Sequence, residues 1–164
     1  AMDLLPGFPV TRTAMREGMA RVRWPARLEW VRQTPRVLLD GAHNPQGIEA
    51  LRRYAQQFLM QEKRVLLTGV LREKLNDKML LDMASLAPQA VTIAPDNHRA
   101  MPAQELADLL RGKGCEAEAA LSLESGLQLA KSLAGPDGVV IAAGSLYMAG
   151  ALRTLLGLRD ESLS

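Results

Sequence analysis

The six residues Asp40-Gly41-Ala42-His43-Asn44-Pro45 hold the densest chemistry in the chain. They run from a short apolar stretch straight into an amphipathic one, the place where ligands gather in open α/β sheets. A carboxylate at position 40 can accept from ribose hydroxyls or hold a cation through water. Gly41 permits a tight turn and a close approach of backbone to ligand. Asn44 suits a helix cap and Pro45 the first helical position. His43 is left on the loop, near the positive end of a helix dipole that favours anions. A purely structural reading, a capped turn followed by a helix start, accounts for Asn44 and Pro45 and leaves Asp40 and His43 open to either role.

A second strand end reads Ala143-Gly144-Ser145-Leu146-Tyr147. A Gly-Ser step before a helix offers free amides and a hydroxyl to a phosphate or carboxylate, and Ser145 serves equally as the cap of the last helix. A third, Thr68 to Lys74, places Arg72 and Lys74 near the same edge, and a fourth, Pro95 to Arg99, is polar and loop-like. Other signals fail. No Gly-x-x-x-x-Gly-Lys-Ser/Thr loop and no Gly-x-Gly-x-x-Gly follows a strand. His43 and His98 lack Cys or Glu neighbours at zinc-like spacing, so no metal ligands are assigned. Cys115 has no base beside it and reads as a small buried hydrophobe.

The elements that must position these residues follow from periodicity. Strands are expected over 27–32, 36–40, 64–70, 90–94, 115–119 and 138–143, and helices over 45–60, 77–86, 102–111, 123–134 and 145–156. Short apolar strands alternating with amphipathic helices predict a doubly wound α/β domain, with a mostly parallel sheet and helices on both faces. A shorter helix capped by Thr11 or Thr13, with Met15, Met19 and Val22 on its apolar side, precedes Trp24-Pro25, which ends it.

Composition bounds the function class. In 164 residues, 48% are apolar and 23% charged, which supports an ordinary buried core. A net charge of +2 gives no basis for nucleic-acid binding. The charge is uneven, since residues 1–36 hold seven Arg against three acids. A single cysteine excludes an internal disulfide. The apolar runs are too short to span a bilayer, and no export leader is visible, so a cytoplasmic location is expected.

Taken in order and spacing, Trp24-Pro25-Ala26-Arg27-Leu28-Glu29, the hexapeptide at Asp40, and Gly144-Ser145-Leu146-Tyr147-Met148-Ala149-Gly150 resemble the C-terminal domain of folylpolyglutamate synthase and the bifunctional dihydrofolate synthase. Those enzymes belong to the Mur ligase superfamily, whose C-terminal domain is Rossmann-like. The resemblance runs from about Gly18 to Leu156. It implies a lead helix over 1–22 that is the tail of a missing N-terminal ATPase domain, a linker over 23–27, the C-terminal-type domain over 28–158, and a tail over 159–164.

The resemblance also implies a reaction. ATP phosphorylates a carboxylate, and the amine of L-glutamate displaces phosphate from the acyl phosphate to form an amide on folate or dihydropteroate. The magnesium ligands and the P-loop would lie in the N-terminal domain, which partners this one in cis in a monomeric enzyme, and the chain alone would be inactive. By position, Arg27 and Asp40 match nucleotide-contacting residues, and His43 and Ser145 match residues implicated in activity. Asn44 and Lys74 are possible substrate or interdomain contacts. Two departures stand out: Ala26 occupies a position that is usually Gly, and Glu73-Lys74-Leu75 replaces Asp-Lys-Asp. The alternatives are a free-standing nucleotide-binding regulatory module and the C-terminal domain of another Mur-type amide ligase.

Overall fold

The computed structural model describes residues 11–21 and 24–158. The remaining lead and tail positions, including Val22, lie outside this range, as does the side chain of Met19. Helix α1 (Arg12–Arg21) begins as expected at Thr11, whose Oγ1 accepts from the Ala14 amide at 3.1 Å.

The sheet has six strands: β1 (Glu29–Val31), β2 (Arg36–Leu39), β3 (Arg64–Thr68), β4 (Gln89–Thr92), β5 (Glu116–Ala119) and β6 (Val139–Ala143). Their order is β1-β2-β6-β3-β4-β5. Only β1 runs antiparallel, against β2; every other pairing is parallel. Five helices complete the domain: α2 (Pro45–Phe58), α3 (Asp77–Ala84), α4 (Ala103–Arg111), α5 (Leu123–Ala134) and α6 (Leu146–Leu155).

Alternate residues of each central strand feed two separate cores, as the period of two requires. On one face Leu38, Leu66, Ala90 and Ile141 pack under Ile48, Leu51, Met79, Met83, Leu106 and Leu110 of α2, α3 and α4. On the other, Val37, Leu39, Leu67, Val91 and Val140 meet Leu127, Ala130, Met148 and Leu152 of α5 and α6. The middles of the central strands are therefore apolar on both faces, which is what a parallel sheet covered on both sides demands.

Caps explain most boundaries. Asn44 accepts from Gly47 N and Asn76 from Met79 N, both at 2.8 Å, and a Ser122–Ser125 capping box opens α5. The expected elements end within two residues of the observed ones, and the first strand departs for a reason visible in the backbone. The strand expected over 27–32 is shortened to Glu29–Val31, because Ala26 and Leu28 take positive φ angles of 53° and 46°. A left-handed residue cannot continue a strand. Cys115 is buried and its Sγ lies 3.4 Å from the Ala87 carbonyl, in the environment expected of a small hydrophobe.

Candidate functional site at the carboxyl edge of β2

The winding reverses at β6. After β2 and β3 the chain passes to the α2, α3 and α4 face, whereas after β6 it passes to the α6 face. Loops that part in opposite directions leave a crevice at the carboxyl ends of the strands between them, the general position of ligand sites in this architecture. A cavity of about 480 Å³ lies there. It is lined by Arg27 and Leu28 of the segment before β1, by Asp40 to Asn44 after β2, and by Gln46, Gly47, Ala50 and Leu51 of α2.

Close packing fixes the walls. A methyl at Gly41 would come within 2.7 Å of Leu146 Cδ2, the end of a flexible side chain, and 3.2 Å of the Ala26 carbonyl, so the loop packs closely between α6 and the Ala26 backbone. The Gly41 amide donates to that same Ala26 carbonyl at 2.6 Å, and the Gly144 amide donates to Ala42 O at 2.7 Å. These two bonds seam the β2 loop to the linker on one side and to the end of β6 on the other.

Asp40 is buried, and both of its oxygens are engaged. Oδ1 accepts from the Ala42 amide and Oδ2 from the Leu28 amide, each at 2.8 Å. The carboxylate thus holds the linker against the strand tip, with lone pairs to spare on each oxygen for a ligand hydroxyl. His43 Nδ1 lies 2.8 Å from the Gly41 carbonyl. A carbonyl only accepts, so Nδ1 carries a proton and Nε2 is left as the ring's other contact atom. Arg27 is exposed, with its guanidinium 5.5 Å from the centre of the Trp24 ring, which props the cation at the cavity mouth without neutralising it. The first turn of α2 adds its uncapped Gln46 amide and the positive end of its dipole.

Arg27, Asp40, His43 and Asn44 are therefore brought together around one cavity. Ser145 and Lys74 are not among its lining. Ser145 is buried, with its Oγ accepting from the Tyr147 amide at 3.2 Å and the Met148 amide at 3.5 Å as the cap of α6. It sits one residue beyond the Gly144–Ala42 bond and so adjoins the site loop. Lys74 is exposed at the end of a short 3₁₀ turn, Arg72–Lys74. That turn belongs to a second cavity of about 290 Å³ lined by Arg72, Glu73, His98, Arg99 and Ala100. There Arg72 pairs with Glu105, and Arg99 with Glu73 at 2.8 Å. Gln46 is the lining side chain that sequence reasoning passed over; its place directly after Pro45, on the first turn of α2, was the available signal.

A phosphate-bearing ligand fits this donor set: one free guanidinium, an imidazole and a helix N-terminus. A divalent cation does not. Asp40 is the only carboxylate lining the cavity, its oxygens already hold two amides, and no cluster of three metal-ligating side chains occurs among the described residues.

The reversal at β6 and the cavity at the end of β2 define a doubly wound α/β domain whose carboxyl edge is built by the segment before β1 and the β2 loop. The chain belongs to the Mur ligase family: residues 26–146 match its glutamate ligase domain. It is 37% identical over 156 residues to a folylpolyglutamate synthase of Lacticaseibacillus casei, a match that covers 92% of this chain and 34% of that protein. Among solved structures, a Mycobacterium tuberculosis folylpolyglutamate synthase complexed with ADP superposes with a TM-score of 0.80 at 30% identity, covering 92% of this chain and 36% of that one. A bifunctional folylpolyglutamate synthase/dihydrofolate synthase with Mn, AMPPNP and L-glutamate bound gives 0.81 at 25% identity, covering 93% and 36%. The chain spans about a third of the length of these relatives.

Proposed function

We propose that these residues act within a longer polypeptide as the glutamate ligase domain of an ATP-dependent carboxylate–amine ligase that adds L-glutamate to folate or dihydropteroate. The supporting observation is the β2-edge cavity, where an unneutralised arginine, a histidine and a helix N-terminus converge in a chain similar to enzymes solved with ADP, with AMPPNP and with L-glutamate. A carboxylate of the acceptor attacks the γ-phosphorus, ADP leaves, and an acyl phosphate results. The glutamate amine then attacks the acyl carbon, phosphate leaves, and the amine proton passes to solvent or to a basic group.

In this reading Arg27 pairs with phosphate oxygens in a fork geometry, and the first turn of α2 adds amide dipoles aimed at the same charge. Asp40 holds the linker and offers its remaining lone pairs to a ribose hydroxyl. His43, with Nδ1 committed to Gly41, presents Nε2. Ser145, Asn44 and Lys74 act through domain closure or amino-acid placement rather than in the cavity. Magnesium accompanies the nucleotide and is held by another domain in cis, in keeping with the lack of a metal-ligating cluster among the described residues.

The test is ADP release by the intact polypeptide, measured with and without glutamate and with dihydropteroate or a reduced folate as acceptor. Arg27→Met is expected to lower kcat/KM for ATP by about 10²- to 10³-fold, the scale of losing one charge-stabilising donor. ADP release that ignores glutamate, or an Arg27→Met variant with wild-type kcat/KM, would overturn the assignment.

A further inference from the structure

The linker contains two L-residues in the left-handed region, Ala26 and Leu28, one on each side of Arg27. Such residues persist only where the surroundings hold them. Each one has a carboxylate on its amide: Glu29 Oε2 accepts from Ala26 N and Asp40 Oδ2 from Leu28 N, both at 2.8 Å. The Ala26 carbonyl is held in turn by the Gly41 amide. Asp40 lies in the cavity wall, but Glu29 does not, so ligand binding leaves its carboxylate undisturbed.

Glu29 has a second partner. Both of its oxygens accept from Nη1 of Arg153, in the last turn of α6, and the arginine side chain is only 12% exposed. We propose that Glu29 is a positioning residue for Arg27. It locks the left-handed turn that presents the guanidinium to the cavity, and through Arg153 it ties that turn to α6, the helix whose first turn is capped by Ser145. The ion pair thus fastens the turn to α6, while the acceptor on the Ala26 amide sets where the guanidinium stands. This inference rests on reading the cavity as the nucleotide site.

A simple strut between β1 and α6 would need only the ion pair, whereas positioning needs the acceptor on Ala26 N–H. Two variants separate these roles. Glu29→Gln keeps an acceptor and loses the pair, and the charge-swapped Glu29→Arg/Arg153→Glu keeps the pair and loses the acceptor, because a guanidinium only donates. In the intact ligase, Glu29→Gln should lower the thermal midpoint while KM for ATP stays within about twofold. The swap should hold the midpoint and raise KM for ATP about tenfold, the usual scale for one lost hydrogen bond, with KM for the folate acceptor unchanged.

In the 164-residue chain the Ala26 amide should exchange about tenfold faster in the swap than in Glu29→Gln. Should the swap not fold, Glu29→Met against Arg153→Met isolates the same acceptor, and KM for ATP is expected to rise only in the former. A swap that restores both midpoint and KM would overturn the proposal and leave Glu29 a strut. An intact polypeptide without ATP-dependent ligation, but with the expected exchange pattern, would overturn the proposed function and uphold the clamp.

Discussion

Asp40 shows how one side chain serves two scales of organisation. Its position at the tip of a buried strand was legible in the sequence, and so was its chemistry as an acceptor, yet its actual partners were not. The Leu28 amide is twelve residues away along the chain, and it meets Asp40 at 2.8 Å where the Gly41 amide also holds the Ala26 carbonyl. His43 and Asn44 were easier, because both are settled by bonds within three residues. Lys74 stands apart from the cavity, on a turn whose first two residues line the second one. Away from the site, burial, helped by the neighbouring Glu116 charge, pushes the Cys115 thiol up from 9.0 to about 11. A thiol whose folded value is raised contributes stability below its unfolded value, and that contribution is lost as pH rises through the folded one. Denaturant titrations should therefore show stability falling between pH 9 and 11, and Cys115→Ala should flatten that slope. An unchanged slope in the variant would show that other groups govern this range.

At the scale of elements, caps and apolar spacing were strong enough for α5 to match its expected bounds, with Ser122 opening it and Gly135, at φ 70°, closing it. The first strand was harder. Glu29, Trp30 and Val31 carry the strand signal, but Ala26 and Leu28 are set by the Glu29 carboxylate three residues on, by Asp40 twelve residues on and by the Gly41 amide on the Ala26 carbonyl, which apolar periodicity does not record. The Ala at position 26 accordingly occupies backbone that suits glycine, the physical sense of that departure from the family pattern. Two glycines at the ends of β6 and in α6 give opposite expectations. Gly144 has φ 120°, and a methyl there would lie 2.5 Å from Thr68 Oγ1 and 2.8 Å from the Gly69 carbonyl. Gly150 sits on the exposed side of α6 with open space around it. Gly144→Ala should cost at least about 2 kcal/mol through strain and overpacking, whereas Gly150→Ala should stabilise by about 0.5–1 kcal/mol through helix propensity. Thermal or urea unfolding measures both, and equal effects would contradict the local geometry.

At the scale of the whole molecule, the parallel sheet was readable because the middles of the central strands are apolar on both faces and helices alternate with them. The place of β6, inserted between β2 and β3, was not readable, because strand order depends on which crossover returns across the sheet. That insertion is what opens the crevice beside the β2 loop. No helix among the described residues is long and apolar enough to cross a membrane. The central claim is that the β2-edge cavity binds the nucleotide through the linker arginine. Its most direct test is a titration of the isotopically labelled 164-residue chain with magnesium-ADP, followed by amide NMR and repeated with Arg27→Met. The account expects saturable shifts at Arg27 and from Asp40 to Asn44, strongly weakened in the variant. Shifts confined to Arg72–Lys74 and His98–Ala100 at the second cavity, or shifts at the β2 edge indifferent to Arg27→Met, would contradict it.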